Sequence, residues 1–228
     1  MSYQHQDWQG SAIDLPVGKV VCIGQNYQDH IAEMRSQTAP DALFFIKPAT
    51  ALCALAAPVQ IPTDRGAVHN ETEIAVLIGQ TLSQASPAEV AAAIWGFSLA
   101  LDLTLRDIQA SLKQLGRPWE IAKGFDGACP LAGFVPAALV SAPQQLQFSL
   151  QVNGQLRQQG DASLMIRGIT QMISEMSQWF TLQPGDVILT GTPAGVGPLQ
   201  PDDQLTLQLL PWLSLTTRVT SRSTNAAR

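Results

Sequence analysis

The sequence predicts an α+β fold dominated by strands, and three observations carry that expectation. Short runs rich in branched and aromatic residues recur along the chain, bounded by Gly, Pro or Asp. Only a few segments carry the three-to-four spacing of a helix. Strand-like and helix-like segments do not alternate regularly, so a mostly-β domain fits better than a doubly wound parallel sheet.

The elements follow in order. Lys19–Gly24 reads as a short buried strand. Asn26 is placed to cap a helix running through His30 to about Arg35. Ala42–Ile46 and Glu71–Ile78 read as strands. Pro87–Ala93 starts a helix, with Ser86 as cap and Pro87 in its first turn. Trp95–Asp102 is an apolar run that reads as a buried strand, and Thr104–Leu115 has helical character that stops before Gly116. Gln147–Val152 alternates into Asn153–Gly154, a hairpin turn signal. Leu164–Phe180 repeats apolar residues at helical spacing, and Val187–Thr190 is a further buried strand. The polar stretch Thr216–Arg228 reads as a frayed tail.

Composition narrows the function classes. Of the 228 residues, 46% are hydrophobic and 14% charged, enough for a sizeable core and against disorder. A net charge of −5 argues against nucleic acid, which is bound by basic patches. Cys22, Cys53 and Cys129 are odd in number and widely spaced, so they are expected to be reduced thiols, without a disulfide framework or a thiolate zinc site. The polar N-terminus lacks a signal-peptide layout. The most apolar runs fall short of the roughly 18–20 residues that cross a bilayer. The expectation is a cytoplasmic enzyme with no membrane partner.

The most informative feature is His69-Asn-Glu71-Thr-Glu73 followed by Ile-Ala-Val-Leu-Ile. On a strand Glu71 and Glu73 share one face with Ala75 and Leu77. Two adjacent carboxylates repel each other and lose hydration when buried. Asp102 repeats the problem at the end of a run with no other charge. Either a hard cation sits among these oxygens, magnesium or manganese rather than zinc, or the glutamates lie on an exposed edge strand and Asp102 caps a helix. His30 and Glu33, three apart on a helix, can pair for general-base work or form a solvated turn. Arg106 and Gln109 follow Asp102 with the same spacing. Lys123 and, with a weaker claim, Lys47 sit in apolar surroundings. The turn Thr190–Gly197 has the glycines of an anion cradle but not the pattern of a P-loop.

Four blocks appear in one order: His69-x-Glu71-x-Glu73, Asp102–Gln109, Lys123–Pro130 and Pro184–Gly197. Together they resemble the fumarylacetoacetate hydrolase family in its short, single-domain, acylpyruvase-like branch, from about Lys19 to Val219. The resemblance implies a mixed β-sandwich roll with a few helices. It divides the chain into an N-terminal segment (1–18), a catalytic domain (19–219) and a flexible tail (220–228). It implies a homodimer, with Mg2+ or Mn2+ held by Glu71, Glu73 and Asp102. His30 and Glu33 become a lid pair that activates water. Lys123 stabilises an enolate. Arg106, Gln109, Thr192 and Lys47 become substrate-binding residues. The family's longer fumarylacetoacetases carry an extra N-terminal domain, for which 228 residues leave no room.

The resulting expectation is a hydrolase that cleaves the C3–C4 bond of an acylpyruvate, giving pyruvate and a carboxylic acid. An oxaloacetate enol–keto tautomerase or an oxaloacetate decarboxylase would use the same metal–enolate core. A non-catalytic binder of 2-oxo acids is the more remote alternative.

Overall fold

The computed structural model describes residues 3–34 and 41–222. A large sheet runs in the order Leu43–Lys47, Val20–Gly24, Val187–Leu189, Thr72–Ile78, Ile94–Leu101, Cys129–Leu131, Leu52–Ala54, with Val135–Pro136 added beside Ile94–Leu101. A second sheet runs Gln155–Asp161, Gln147–Val152, Gln204–Leu210, Leu213–Arg222, Val59–Pro62. A small third sheet joins Gly197–Pro198, Val68–Asn70 and Thr104–Leu105. Among the described residues the α-helices are α1 (Gln28–Glu33), α2 (Pro87–Ala93), α3 (Arg106–Gln114), α4 (Glu120–Lys123) and α5 (Ile169–Ser177). No helix among the described residues is long and apolar enough to cross a membrane.

Strand Thr72–Ile78 is buried along its whole length because both faces of the large sheet are covered. Ile74, Val76 and Ile78 face the main core, which includes Phe148, Leu150, Leu205 and Leu207 of the second sheet. Ala75 and Leu77 face a smaller core with Val20, Cys22, Val187 and Leu189, over which Tyr3, Ile13 and Leu15 fold. The continuous apolar run in the sequence is the consequence of this two-sided burial.

Several expected elements form for the expected reasons. Ser86 and Glu89 make a capping box on α2, with the Ser86 N–H donating to Glu89 Oε2 at 2.8 Å. Asn153 and Gly154 take φ of 53° and 76°, the left-handed pair that a tight hairpin needs.

Four expectations are corrected. Asn26 does not cap α1; the cap position is Tyr27 and makes no side-chain bond. The Asn26 amide is spent across the fold. It donates to the carbonyls of Arg167 (3.0 Å) and Thr190 (2.9 Å) and accepts from the Arg167 N–H (2.8 Å). That clamp holds Arg167 outside a helix, and Gly168 is extended, so α5 begins at Ile169 rather than Leu164. Thr104 and Leu105 pair as a strand with Val68 and His69, so α3 starts at Arg106. The stretch from Thr216 is strand as far as Arg222, paired on both sides, with Thr217 and Val219 buried. Its β-branched threonines carried a strand signal that its polarity masked. The expected helix end near Arg35 and the last residues of the tail lie outside the described residues.

The Asn26 clamp carries a direct prediction. Asn26→Ala removes the three bonds that tie the buried Thr190 carbonyl and the Arg167 backbone together, and urea denaturation should show a loss of about 2–4 kcal/mol.

Candidate active site

The site forms where the central strands of the large sheet end. Thr72 pairs with Leu101 and Glu73 with Ala100. One step further, the Asp102 N–H donates to the Glu71 carbonyl at 2.7 Å. This register brings Glu71, Glu73 and Asp102 together, with one oxygen from each within 4.8 Å of the others. All three residues are buried. The alternative of an exposed edge strand and a simple helix cap is therefore excluded.

Three cations surround the triad. Lys123, in the last turn of α4, donates to Glu71 Oε2 and Asp102 Oδ2, both at 2.7 Å. Arg106 opens α3 and bonds Glu71 Oε1 through Nη2 and Gln109 Oε1 through Nη1. Lys47 is fully buried behind Asp102, with Nζ 2.7 Å from Oδ1. Lys47 Nζ also donates to the carbonyls of Lys123, Ala128 (3.1 Å) and Leu103 (3.5 Å). Glu73 accepts from the Gly191 N–H at 2.6 Å.

These contacts set the charges. Burial favours the protonated form of Glu71, but Lys123 and Arg106 outweigh it and hold the carboxyl well below its usual range. Burial pushes Glu73 well up, and Asp102 and Glu71 push it further. Burial opposes the charge on Lys123, yet Asp102 and Glu71 win and raise its pKa.

Three clustered, buried oxygen donors, one of them crowded towards protonation, fit a hard divalent cation. Glu71, Glu73 and Asp102 would hold it.

The cleft above the triad has roughly 490 Å3 of empty space, its open mouth included. His30, Arg106, Gln109, Lys123 and Thr192 line it with the three carboxylates. His30 Nδ1 lies 3.5 Å from Glu33 Oε2, close enough for an ion pair but longer than a good hydrogen bond. The Glu33 carboxylate instead accepts the Gly195 N–H, at 3.0 and 3.2 Å to its two oxygens. It thereby ties α1 to the glycine turn. Gly195 has φ of 102°, and a Cβ there would lie 1.8 Å from the Arg157 carbonyl oxygen, so glycine is required.

Two expected substrate contacts change. Lys47 does not line the cleft, because its ammonium is committed to Asp102 and backbone carbonyls. The Thr192 hydroxyl donates its one hydrogen to the Thr72 carbonyl (2.9 Å) and accepts from Gln158 (2.7 Å). Thr192 therefore has no hydroxyl hydrogen left for a substrate carboxylate.

Phe45, Lys113 and Trp119 are among the cleft residues that the sequence reading missed. Lys113 extends the Arg106–Gln109 face of α3 by one turn, a spacing visible in the chain. Gln158, which braces Thr192 and also accepts from Asn70 and the Thr72 N–H, comes from the second sheet and left no local signal.

A donor set of this kind predicts a thermal signature. Mn2+ or Mg2+ should raise the melting temperature, because ligand binding to the native state stabilises it. Glu73→Gln should abolish that shift. It should leave the metal-free midpoint unchanged or higher, since it removes a buried repulsion. Calorimetry with and without a chelator reads both effects.

The family described as "Fumarylacetoacetate (FAA) hydrolase C-terminal" matches residues 19–220. The chain is 56% identical over 218 residues to the oxaloacetate tautomerase YcgM of Escherichia coli (strain K12), covering 95% of this chain and 99% of that protein. It is 40% identical over 200 residues to the mitochondrial oxaloacetate tautomerase FAHD1 of Homo sapiens, covering 88% and 90%. The crystal structure of fumarylpyruvate hydrolase from Pseudomonas aeruginosa, in complex with Mn2+ and pyruvate, superposes with a TM-score of 0.90 at 32% identity, covering 97% of each chain. With the motif blocks, the sheet topology and the buried acidic triad in agreement, the chain belongs to the fumarylacetoacetate hydrolase family.

Proposed function

We propose that this enzyme interconverts the enol and keto forms of oxaloacetate. The observation that carries the reading is the near full-length likeness to an oxaloacetate tautomerase at 56% identity. This reverses the order expected from the sequence, where hydrolysis came first.

Tautomerisation moves one proton. The enol hydroxyl at C2 loses it, C3 gains one, and no carbon–carbon bond breaks. A divalent cation held by Glu71, Glu73 and Asp102 would supply Lewis-acid stabilisation of the negative charge on the C2 oxygen. Lys123 adds to that stabilisation. Two of its three hydrogens are committed to Glu71 and Asp102, which leaves one for a substrate oxygen. His30, buried in the cleft wall, is the group that holds and returns the proton exchanged at C3. Glu33 acts as a positioning residue: it fixes the end of α1 on the Gly195 N–H and leaves one oxygen 3.5 Å from the His30 ring. Arg106 and Gln109 bind substrate carboxylate oxygens, and Thr192 offers its backbone rather than its hydroxyl.

Hydrolysis of acylpyruvates is the second reading. The His30–Glu33 pair and the likeness to fumarylpyruvate hydrolase favour it. Against it, the Glu33 carboxylate is engaged by Gly195 and does not line the cleft, so it is poorly placed to drive water attack through His30.

With Mg2+ or Mn2+ present, the protein should accelerate loss of the enol absorbance of oxaloacetate without forming pyruvate beyond the spontaneous rate. A chelator should abolish the effect. Lys123→Met should lower the rate by about a hundredfold or more, as expected when a donor to a developing oxyanion is lost. Stoichiometric pyruvate from acetylpyruvate, with no effect on the oxaloacetate enol, would instead establish hydrolysis.

A further inference from the structure

Arg106, Gln109 and Lys113 lie on one face of α3, at spacings of three and four, and all three line the cleft. Their commitments differ. Arg106 is paired with Glu71 and bonded to Gln109. Lys123, deeper in the cleft, is paired with Glu71 and Asp102. Lys113 has neither a hydrogen bond nor an acidic partner among the described residues; its ammonium sits 5.2 Å from the centroid of the Trp119 ring.

Trp119 packs at a tilt against Phe45, with centroids 5.9 Å apart, and Lys123 lies 5.1 Å from the Phe45 centroid. Each ring of the aromatic pair thus carries one ammonium group, the buried Lys123 among the carboxylates and the exposed Lys113 at the rim. Burial and the neighbouring Arg106 lower the Lys113 pKa, Glu71 offsets them only in part, and an anion arriving there would favour the charged ammonium. A flexible rim lysine is held in place by the indole face, which cuts the ordering cost of a later ion pair.

We propose that Lys113 binds the distal carboxylate of the substrate and sets a preference for 2-oxo dicarboxylates over 2-oxo monocarboxylates. The proposal rests on the 2-oxo acid reading above and extends it from the reacting head to the substrate tail. The head, with its carboxylate and 2-oxygen, belongs with the acidic triad, Lys123 and Arg106. The tail lies towards the rim, where Lys113 has no ion pair among the described residues.

The test is calorimetric binding to the Mg2+-saturated protein with two ligands that share the head. Pyruvate has no distal carboxylate. 3,3-Difluoro-oxaloacetate has one, and it carries no hydrogen at C3, so it cannot enolise. Lys113→Met should weaken difluoro-oxaloacetate binding about five- to tenfold, the scale of losing one partly exposed charge-assisted contact, and leave pyruvate binding unchanged. Lys113→Arg should restore most of the loss. Equal weakening of both ligands, or no weakening of either, would overturn the proposal. Selective weakening in a protein that does not tautomerise oxaloacetate would leave Lys113 in this role and remove only the tautomerase reading.

Discussion

Burial of three carboxylates at one point is the constraint on which the rest of this site depends. An ionised carboxylate taken out of water without compensation costs several kcal/mol, and three within contact distance also repel one another. Lys123 bridges two of them, Arg106 holds a third bond to the same cluster, and Lys47 backs Asp102 from the interior. The compensation is incomplete. Among the described residues Glu73 receives only a backbone N–H, and it is driven towards its neutral form. Glu73 is thus the carboxylate without an ion pair among the described residues, and a divalent cation among the three oxygens would favour its ionised form.

The fold supplies the rigidity this arrangement needs. Each carboxylate sits at a strand end within the most deeply buried part of the large sheet, where two-sided packing fixes the register. The third wall comes from the glycine turn after Val187–Leu189. That turn is held from three directions: by Asn26 at Thr190, by Glu73 at Gly191 and by Glu33 at Gly195. The same side chains that set up the chemistry therefore also set the position of the turn and of α1. Lys47 illustrates the same economy, since its ammonium both faces Asp102 and bonds the carbonyl of Lys123.

Much of this was legible in the sequence. Strand alternation placed Glu71 and Glu73 on one face, and the apolar run after them signalled two-sided burial. Asp102 stood out as the one charge at the end of a hydrophobic run. These signals are local, and local periodicity preserves them. The losses were non-local. Asn26 looks like a helix cap because its type and position suit one, yet its amide is claimed by residues about 140 to 165 positions away. Thr192 looks free to bind a carboxylate until Gln158, from another sheet, and Thr72 take up its hydroxyl. Lys47 reads as a substrate lysine because its burial behind Asp102 depends on Ala128 and Lys123, far along the chain. Lys113 was the exception: its spacing from Arg106 and Gln109 was visible, but a charge on a polar helix face does not announce a cleft.

The central claim is that the buried triad, Lys123 and His30 move a proton at C3 without breaking a carbon–carbon bond. Proton NMR of oxaloacetate in D2O, with the Mg2+-loaded protein, tests it directly. The account predicts enzyme-dependent exchange of C3 hydrogen for deuterium, lost in Lys123→Met, while the four-carbon skeleton persists apart from spontaneous decay. Enzyme-dependent conversion to pyruvate without prior exchange at C3 of the remaining oxaloacetate would contradict it.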